Sequence, residues 1–407
     1  MSKYNVLYVE SNVDGTVGGS YFSLLYLIST LDKKKYNPCV VFYRKNKILS
    51  RFIDAGFKVI LFEKRSTVNL VKYIDIKNVK HLILRILSLP VRIIQIYFNV
   101  FIDVILPTFK CIKIIKSEKI DLVHLNNTIL RPQEWILASL ITHTKLVAHE
   151  RGINTSIPLN SRLLAESFEA VICISKAVKN NLIRNCKISK RLHLVYNGLD
   201  PAKFKPTIEK EEIRRTIGLN DEDLVIGVVG NLKKWKGQDV VVRSIALIRK
   251  KFRNIKCLMI GSSLHELDTY SMKLQSLVQQ KKLEENVIFL GYREDIQNYV
   301  NVLDILLHTS VFPEPFGRVM LEGMALSKPV ITVDIGAGPE IVLHKKTGIV
   351  IKPNDERALS DAICFLLNNK SISKTMGLAG RERLQKHFHL HINTRMTELI
   401  YKNILES

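Results

Sequence analysis

The chain has 407 residues, 46% of them hydrophobic and 24% charged, which excludes a disordered or low-complexity chain and exceeds what one hydrophobic core usually organises; two domains are expected. Six cysteines (Cys39, Cys111, Cys173, Cys186, Cys257, Cys364) without CxxC spacing fit buried thiols in a reducing compartment better than disulfides or a zinc site, and the first strand begins without a signal-peptide apolar region, so an intracellular chain is expected. The net charge of +23 is uneven: residues 1–200 carry 30 Lys and Arg against 14 Asp and Glu, whereas 201–407 carry 31 against 24. A basic face on the N-terminal half would suit anionic lipid, nucleic acid or a phosphorylated acceptor.

Short Val, Ile and Leu runs between amphipathic patterns predict strands buried on both faces of a parallel sheet. The first series is 5–10, 37–43, 58–62, 121–125, 145–150, 170–175 and 191–197. The segment 81–105 stands apart. His81, Arg85, Ser88, Arg92, Gln95, Asn99 and Asp103 recur every three or four residues as a narrow polar stripe on an otherwise apolar helix. Charges interrupt it too often for a membrane span, and Lys110, Lys113 and Lys116 follow. Two readings stand: a core helix under the N-terminal sheet, or a helix in a membrane interface with its cations at the headgroups. NGLDPAKFKP at 197–206 breaks both periodicities and predicts the hinge. The second series follows at 224–230, 256–262, 286–291, 304–310, 329–334 and 347–353. Alternating strand and helix in both halves predicts two doubly wound α/β domains with ligands beyond the carboxyl ends of the strands.

The strongest local signal is PEPFGRVMLEGMALSKPVI at 313–331, after a predicted strand. Glu314 lies in a proline-flanked loop, Phe316 and Gly317 lead into a helix, and Glu322 lies on it. A helix N-terminus offers unpaired amides to a pyrophosphate, while carboxylates grip the vicinal hydroxyls of sugars and ribose. DED at 221–223 looks like a metal-binding DxD but reads as a solvated turn, and no metal is assigned.

Glu314 and Glu322 at E-x7-E spacing, within EPFG-x4-E-x-MA, resemble the retaining glycosyltransferase family four, the group 1 glycosyltransferases. The resemblance implies a GT-B fold: two Rossmann-like domains facing a cleft, at 1–200 and 201–384, with a C-terminal helix (385–407, within a run from about 380) returning to the first. It implies that Glu314 contacts the transferred sugar and Glu322 the nucleotide ribose, with the Phe316 and Gly317 amides near the donor. GNLKKWKGQD at 230–239 resembles the family's phosphate segment, with Lys236 on the diphosphate; Asn231 stands where arginine is common, leaving Lys233 or Lys234 to replace that cation. GYRED at 291–295 resembles the family loop that covers the nucleotide base, which implies Arg293 near the base, and GAGPEIV at 336–342 resembles the glycine-rich loop before the sugar-facing turn. Ser327 replaces a frequent glycine at a helix end.

In the N-terminal half, GTVGGS at 15–20 resembles the loop at the reacting end of the donor, with Gly18 and Gly19 permitting close backbone approach. His149, at a strand end, matches the family histidine that positions the donor sugar, with Glu150 and Arg151 beside it. The implied reaction moves a hexose or N-acetylhexosamine from a nucleoside diphosphate sugar, UDP-sugar favoured, to an acceptor hydroxyl. It proceeds with retention and without metal or cofactor, the departing phosphate deprotonating the acceptor. The charge and the 81–105 helix point to a lipid-linked acceptor in bacterial polysaccharide or lipopolysaccharide synthesis, met by peripheral membrane contact at the cytoplasmic face, with no nucleic acid partner. A sugar-nucleotide epimerase of the same fold and a non-catalytic anionic-surface-binding protein are the alternatives.

Overall fold

The computed structural model describes residues 3–12, 18–63, 89–154, 159–186, 191–262 and 269–407. His81, Arg85 and Ser88 of the polar stripe, and 15–17 of the glycine loop, lie outside them. The chain divides into two compact units. One comprises Met1–Ile172, Leu182–His193 and Glu398–Ser407; the other comprises Cys173–Asn181 and Leu194–Thr397.

The first unit is built on β1 (Tyr4–Glu10), β2 (Tyr36–Phe42), β3 (Lys58–Leu61), β4 (Leu122–Leu125), β5 (Lys145–Glu150), β6 (Ala170–Cys173) and β7 (Leu192–Leu194), in the order β3-β2-β1-β4-β5-β6-β7. The second is built on β8 (Leu224–Val229), β9 (Ile255–Ile260), β10 (Val287–Gly291), β11 (Ile305–His308), β12 (Val330–Val333) and β13 (Gly348–Ile351), in the order β10-β9-β8-β11-β12-β13. Both sheets are parallel, and each predicted strand has its counterpart. Their central strands are buried almost without interruption, as in Val6, Leu7, Tyr8 and Val9 of β1 or Ile305, Leu306 and Leu307 of β11. That is why these runs are continuously apolar rather than alternating.

In each sheet the winding reverses once, between β1 and β4 and between β8 and β11. There the loops leave in opposite directions and open a crevice at the carboxyl edge. The helices that matter for function are α1 (Gly19–Thr30), α2 (Leu89–Val100), α3 (Leu106–Ser117), α4 (Gln133–Thr142), α5 (Gln238–Ile248), α6 (Arg318–Ala325), α7 (Gly338–Ile341), α8 (Lys370–His387) and α9 (Leu390–Leu405). A π-helical turn, Phe101–Ile105, joins α2 to α3.

The C-terminal helix expected from about 380 to 405 is instead two helices. At the break, Leu199 donates its amide to the Phe388 carbonyl (3.0 Å) and accepts from the Leu390 amide (3.2 Å), so this backbone serves a bridge rather than a helical turn. The DED turn also differs from a fully solvated one. Asp223 is buried, and its carboxylate accepts from the Asn220 amide at 2.8 Å, so it closes the turn before β8. Among the described residues no helix is long and apolar enough to cross a membrane.

Candidate functional site

At the β8/β11 reversal the loop after β8 runs through a 3₁₀ turn, Lys234–Lys236, into α5. Two bonds fasten that turn to the end of β11: the Val311 amide to the Trp235 carbonyl (2.8 Å) and the Thr309 hydroxyl to the Lys236 carbonyl (3.1 Å). Lys236 is thereby aimed at the next loop, where its Nζ donates to Oε1 and Oε2 of Glu314 at 2.8 and 2.7 Å. Its ammonium also lies 4.1 Å from the Trp235 ring centroid, a cation–π contact.

Glu314 Oε2 accepts two further bonds, from Ser310 Oγ (2.7 Å) and His308 Nε2 (3.1 Å). A carboxylate only accepts, so His308 Nε2 carries a proton, and the Thr332 hydroxyl lies 3.0 Å from its Nδ1. Burial opposes ionisation of Glu314, but the Lys236 charge and the His308 hydrogen bond outweigh it and hold the carboxyl well below its ordinary range. Oε2 carries three bonds and Oε1 one, which leaves Oε1 an acceptor position for a ligand hydroxyl.

Two glycines fit this loop into place. Gly317, the N-cap of α6, sits at φ 81°, where a Cβ would come within 2.8 Å of His308 Nε2. Gly336, at φ 61°, passes so close to the Glu314 backbone that a Cβ would lie 2.5 Å from its nitrogen, while the Ala337 amide donates to the Glu314 carbonyl at 3.0 Å. The GAGPEIV loop thus supports the Glu314 loop, with α7 following it.

One turn into α6, Glu322 is largely buried, its side chain 13% exposed; its neighbour is Arg318, whose guanidinium nitrogen lies 3.8 Å from Oε1. Burial pushes this carboxyl up and the Arg318 charge only partly offsets it. Among the described residues nothing donates a hydrogen bond to it, so both oxygens retain acceptor capacity. Phe316 is also buried, but its ring packs with Tyr196 and Phe388 at centroid distances of 6.4 and 6.3 Å. Its side chain anchors the loop and leaves only the backbone to meet a ligand.

The first unit carries a second polar cluster at its own reversal. Glu10 ends β1, and its buried carboxylate accepts from Asn126 Nδ2 (2.6 Å) and from Asn127 Nδ2. Arg151 donates from Nε to the Asn126 carbonyl (2.7 Å) and lies 3.3 Å from His149 Nδ1. Because arginine only donates, Nδ1 accepts and the His149 proton sits on Nε2, a buried donor with no hydrogen-bond partner among the described residues. Burial, with help from Arg151 and His124, depresses this imidazole far below its ordinary value and keeps it neutral. Glu150, behind it, accepts from the Ile129 amide (2.9 Å) and the Thr128 hydroxyl (2.9 Å) and holds the β4 loop.

Comparison with known proteins bears on both halves. The family model "Glycosyltransferase Family 4" matches residues 19–203 and "Glycosyl transferases group 1" matches residues 209–383. The chain belongs to the group 1, family 4 glycosyltransferases. Among curated members of related sequence, the capsular polysaccharide biosynthesis glycosyltransferase CapM of Staphylococcus aureus is 30% identical over 244 residues, 58% of this chain and 62% of CapM. The lipopolysaccharide core biosynthesis mannosyltransferase LpsB of Rhizobium meliloti is 24% identical over 214 residues, 52% of this chain and 61% of LpsB. The chain thus spans about three fifths of the length of each. The GT-B fold is shared with Anabaena HepE, solved in complex with UDP and glucose: TM-score 0.78, 20% identity, covering 97% of this chain and 99% of HepE.

The residues expected at the donor divide by environment. Lys236 and Glu314, given separate tasks on sequence, form one ion pair, with Glu322 on the helix that follows. Asn231 is half-buried, and its carbonyl accepts from Gln238 Nε2 at 3.0 Å, so its backbone anchors the loop that delivers Lys236. Lys234 is exposed and Lys233 half-buried beside it. Arg293 is exposed, its guanidinium 5.1 Å from the Tyr299 ring. Gly18 is extended backbone with nothing within 4 Å of where a Cβ would stand, and exposed Gly19 opens α1, so the backbone there borders open space. Sequence reasoning missed His308, Ser310, Trp235, Glu10 and Asn126. The available signal was polarity out of place: a histidine ending the apolar run ILLH, and a glutamate ending YNVLYVE.

Proposed function

We propose that this protein is a retaining glycosyltransferase that moves a hexose or N-acetylhexosamine from a UDP-sugar to a hydroxyl of a lipid-linked glycan. The setting is bacterial capsule-type or lipopolysaccharide-type synthesis at the cytoplasmic face of the membrane. The observation that carries the reading is the Lys236–Glu314–His308 constellation at the β8/β11 reversal, beside the N-terminus of α6 and the Glu322 carboxylate, to which no described residue donates a hydrogen bond. The activities named for CapM and LpsB support the polymer class, and the UDP and glucose bound to HepE support the donor class.

In this reaction Glu322 accepts from the ribose hydroxyls and Glu314 Oε1 from a hydroxyl of the transferred sugar. Lys236 is shared: it holds Glu314 ionised before the donor arrives and lends its charge to the diphosphate as the glycosidic bond breaks. The α5 and α6 N-termini add amide donors and partial positive charge, and no metal ion is called on. Within the first unit, His149 offers its Nε2 proton to a ligand hydroxyl, and the Gly18 and Gly19 backbone admits a ligand closely. The acceptor hydroxyl attacks the face that the phosphate leaves and gives its proton to a departing phosphate oxygen, so the anomeric configuration is kept.

Calorimetric titration with UDP, GDP, ADP and dTDP, with and without magnesium, tests the donor site on wild type and Glu322→Ala. UDP binding that is independent of magnesium and lost in the variant is the expected result; no binding of any nucleotide overturns the assignment. NMR of the anomeric proton of the product tests retention.

A further inference from the structure

We infer that the segment Leu89–Ser117 is a docking surface for an anionic lipid bilayer. The inference deepens the lipid-linked acceptor proposed above, but it is read from exposure and charge alone. A helix on a protein surface ordinarily turns its apolar face inward and its polar face to water. Here the arrangement is reversed. Gln95 is buried and donates to Asn99 Oδ1 at 2.7 Å, Asp103 is half-buried, and Thr108 is buried with its hydroxyl on the Val104 carbonyl at 2.7 Å. The described part of the polar stripe therefore faces protein.

The apolar residues face out. Ile94, Tyr97, Phe101 and Phe109 are 61%, 73%, 49% and 65% exposed, with Ile96, Phe98, Val100 and Ile105 exposed beside them. This overturns the reading of these residues as a core helix. Spacings of three and four put Ile94, Tyr97, Phe98 and Phe101 on one helical face. The π-helical turn then absorbs one extra residue, so the inward polar row steps from Asp103 to Thr108, by five rather than four, while the outward apolar row continues to Phe109. A soluble monomer rarely leaves so many large apolar side chains together in water.

Charge selects the occupant. Lys110, Lys113 and Lys116 lie exposed on α3, and Asp103, turned inward, is the single acid between 89 and 117. An apolar face flanked by exposed lysines fits acyl chains below and anionic headgroups beside them. The row of Gln95, Asp103 and Thr108 is turned away from the exposed apolar face, so the contact is interfacial, with one side of the helix in lipid and the other on protein.

The test is cosedimentation of the full chain with vesicles of phosphatidylcholine alone and of phosphatidylcholine mixed with phosphatidylglycerol. Binding to the mixed vesicles that weakens with salt is expected. The triple variant Tyr97→Ser, Phe101→Ser, Phe109→Ser and the triple variant Lys110→Gln, Lys113→Gln, Lys116→Gln should each weaken binding by about tenfold or more. Both change exposed side chains, and unchanged melting establishes folding; if the serine variant melts early, the glutamine variant decides. Wild type that stays in the supernatant, or variants that bind as wild type, overturn the inference. So does concentration-dependent dimerisation that the serine variant abolishes while vesicle binding persists, since the face then belongs to a second copy. UDP binding, measured separately, stands or falls without affecting this result.

Discussion

Replacing Lys236 by methionine removes the ammonium from which both Glu314 oxygens accept at 2.8 and 2.7 Å, and leaves the carboxylate with Ser310 and His308. At an effective dielectric of about 20, unit charges this close attract by roughly 6 kcal/mol gross. Desolvation cancels much of that in the intact pair, whereas losing one partner strands the other, which costs about 3–5 kcal/mol for fully buried pairs. These side chains are 15% and 13% exposed, so water recovers part of it and the expected loss is about 2–4 kcal/mol. Urea unfolding followed by fluorescence measures it, with the transition of the second unit identified as the one that UDP shifts, because two units need not unfold together. Glu314→Gln tests the same pair from the other side. The double variant should be less unstable than the sum of the singles by about 1–3 kcal/mol. Strictly additive singles, or a Lys236→Met protein as stable as wild type, would refute the coupling on which the donor site depends.

Gly336→Ala places a Cβ 2.5 Å from the Glu314 nitrogen at a positive φ, so it should cost about 2–3 kcal/mol and lower kcat more than it raises KM; chemical denaturation and steady-state kinetics read the two effects. Ser327 holds a left-handed φ of 55° after α6, and Ser327→Gly should stabilise by about 1 kcal/mol, seen as a rise of roughly 2–4 °C in the melting transition of that unit. In the first unit, burial pushes His124 down to about 3 and His149 in the same direction. The unfolded chain then binds protons that the folded one refuses, so stability is full above the ordinary histidine value and falls on acidification. Between about pH 6.5 and 5 the His124 contribution should fall by about 2 kcal/mol, with His149 acting in the same sense, and His124→Gln should reduce the slope of stability against pH. Glu314 acts in the same direction at lower pH: its held-down carboxyl stabilises the fold above the ordinary carboxylate range, and that contribution disappears as acid protonates it.

The two sheets were legible because strands buried on both faces must be apolar throughout, and seven and six such runs alternate with helices. Glu314, Glu322 and Lys236 were legible because helix starts, glycines and carboxylates in fixed spacing leave a local mark. Other features leave none. Lys236 and Glu314 are 78 residues apart, and only the parallel register of β8 with β11 turns them into one ion pair that consumes the lysine before any ligand arrives. Ser310 reads as an ordinary strand-end residue, and the out-of-place polarity of His308 names no partner, until the loop folds back and sets Glu314 over them. The C-terminal helix reads as continuous because nothing local announces that the backbone around Phe388 will bond to Leu199. In the Leu89–Ser117 segment, sequence periodicity established that one face is polar and the other apolar. Which face meets the protein depends on what packs against it, and only the tertiary structure decided that the polar row turns inward and the apolar row out.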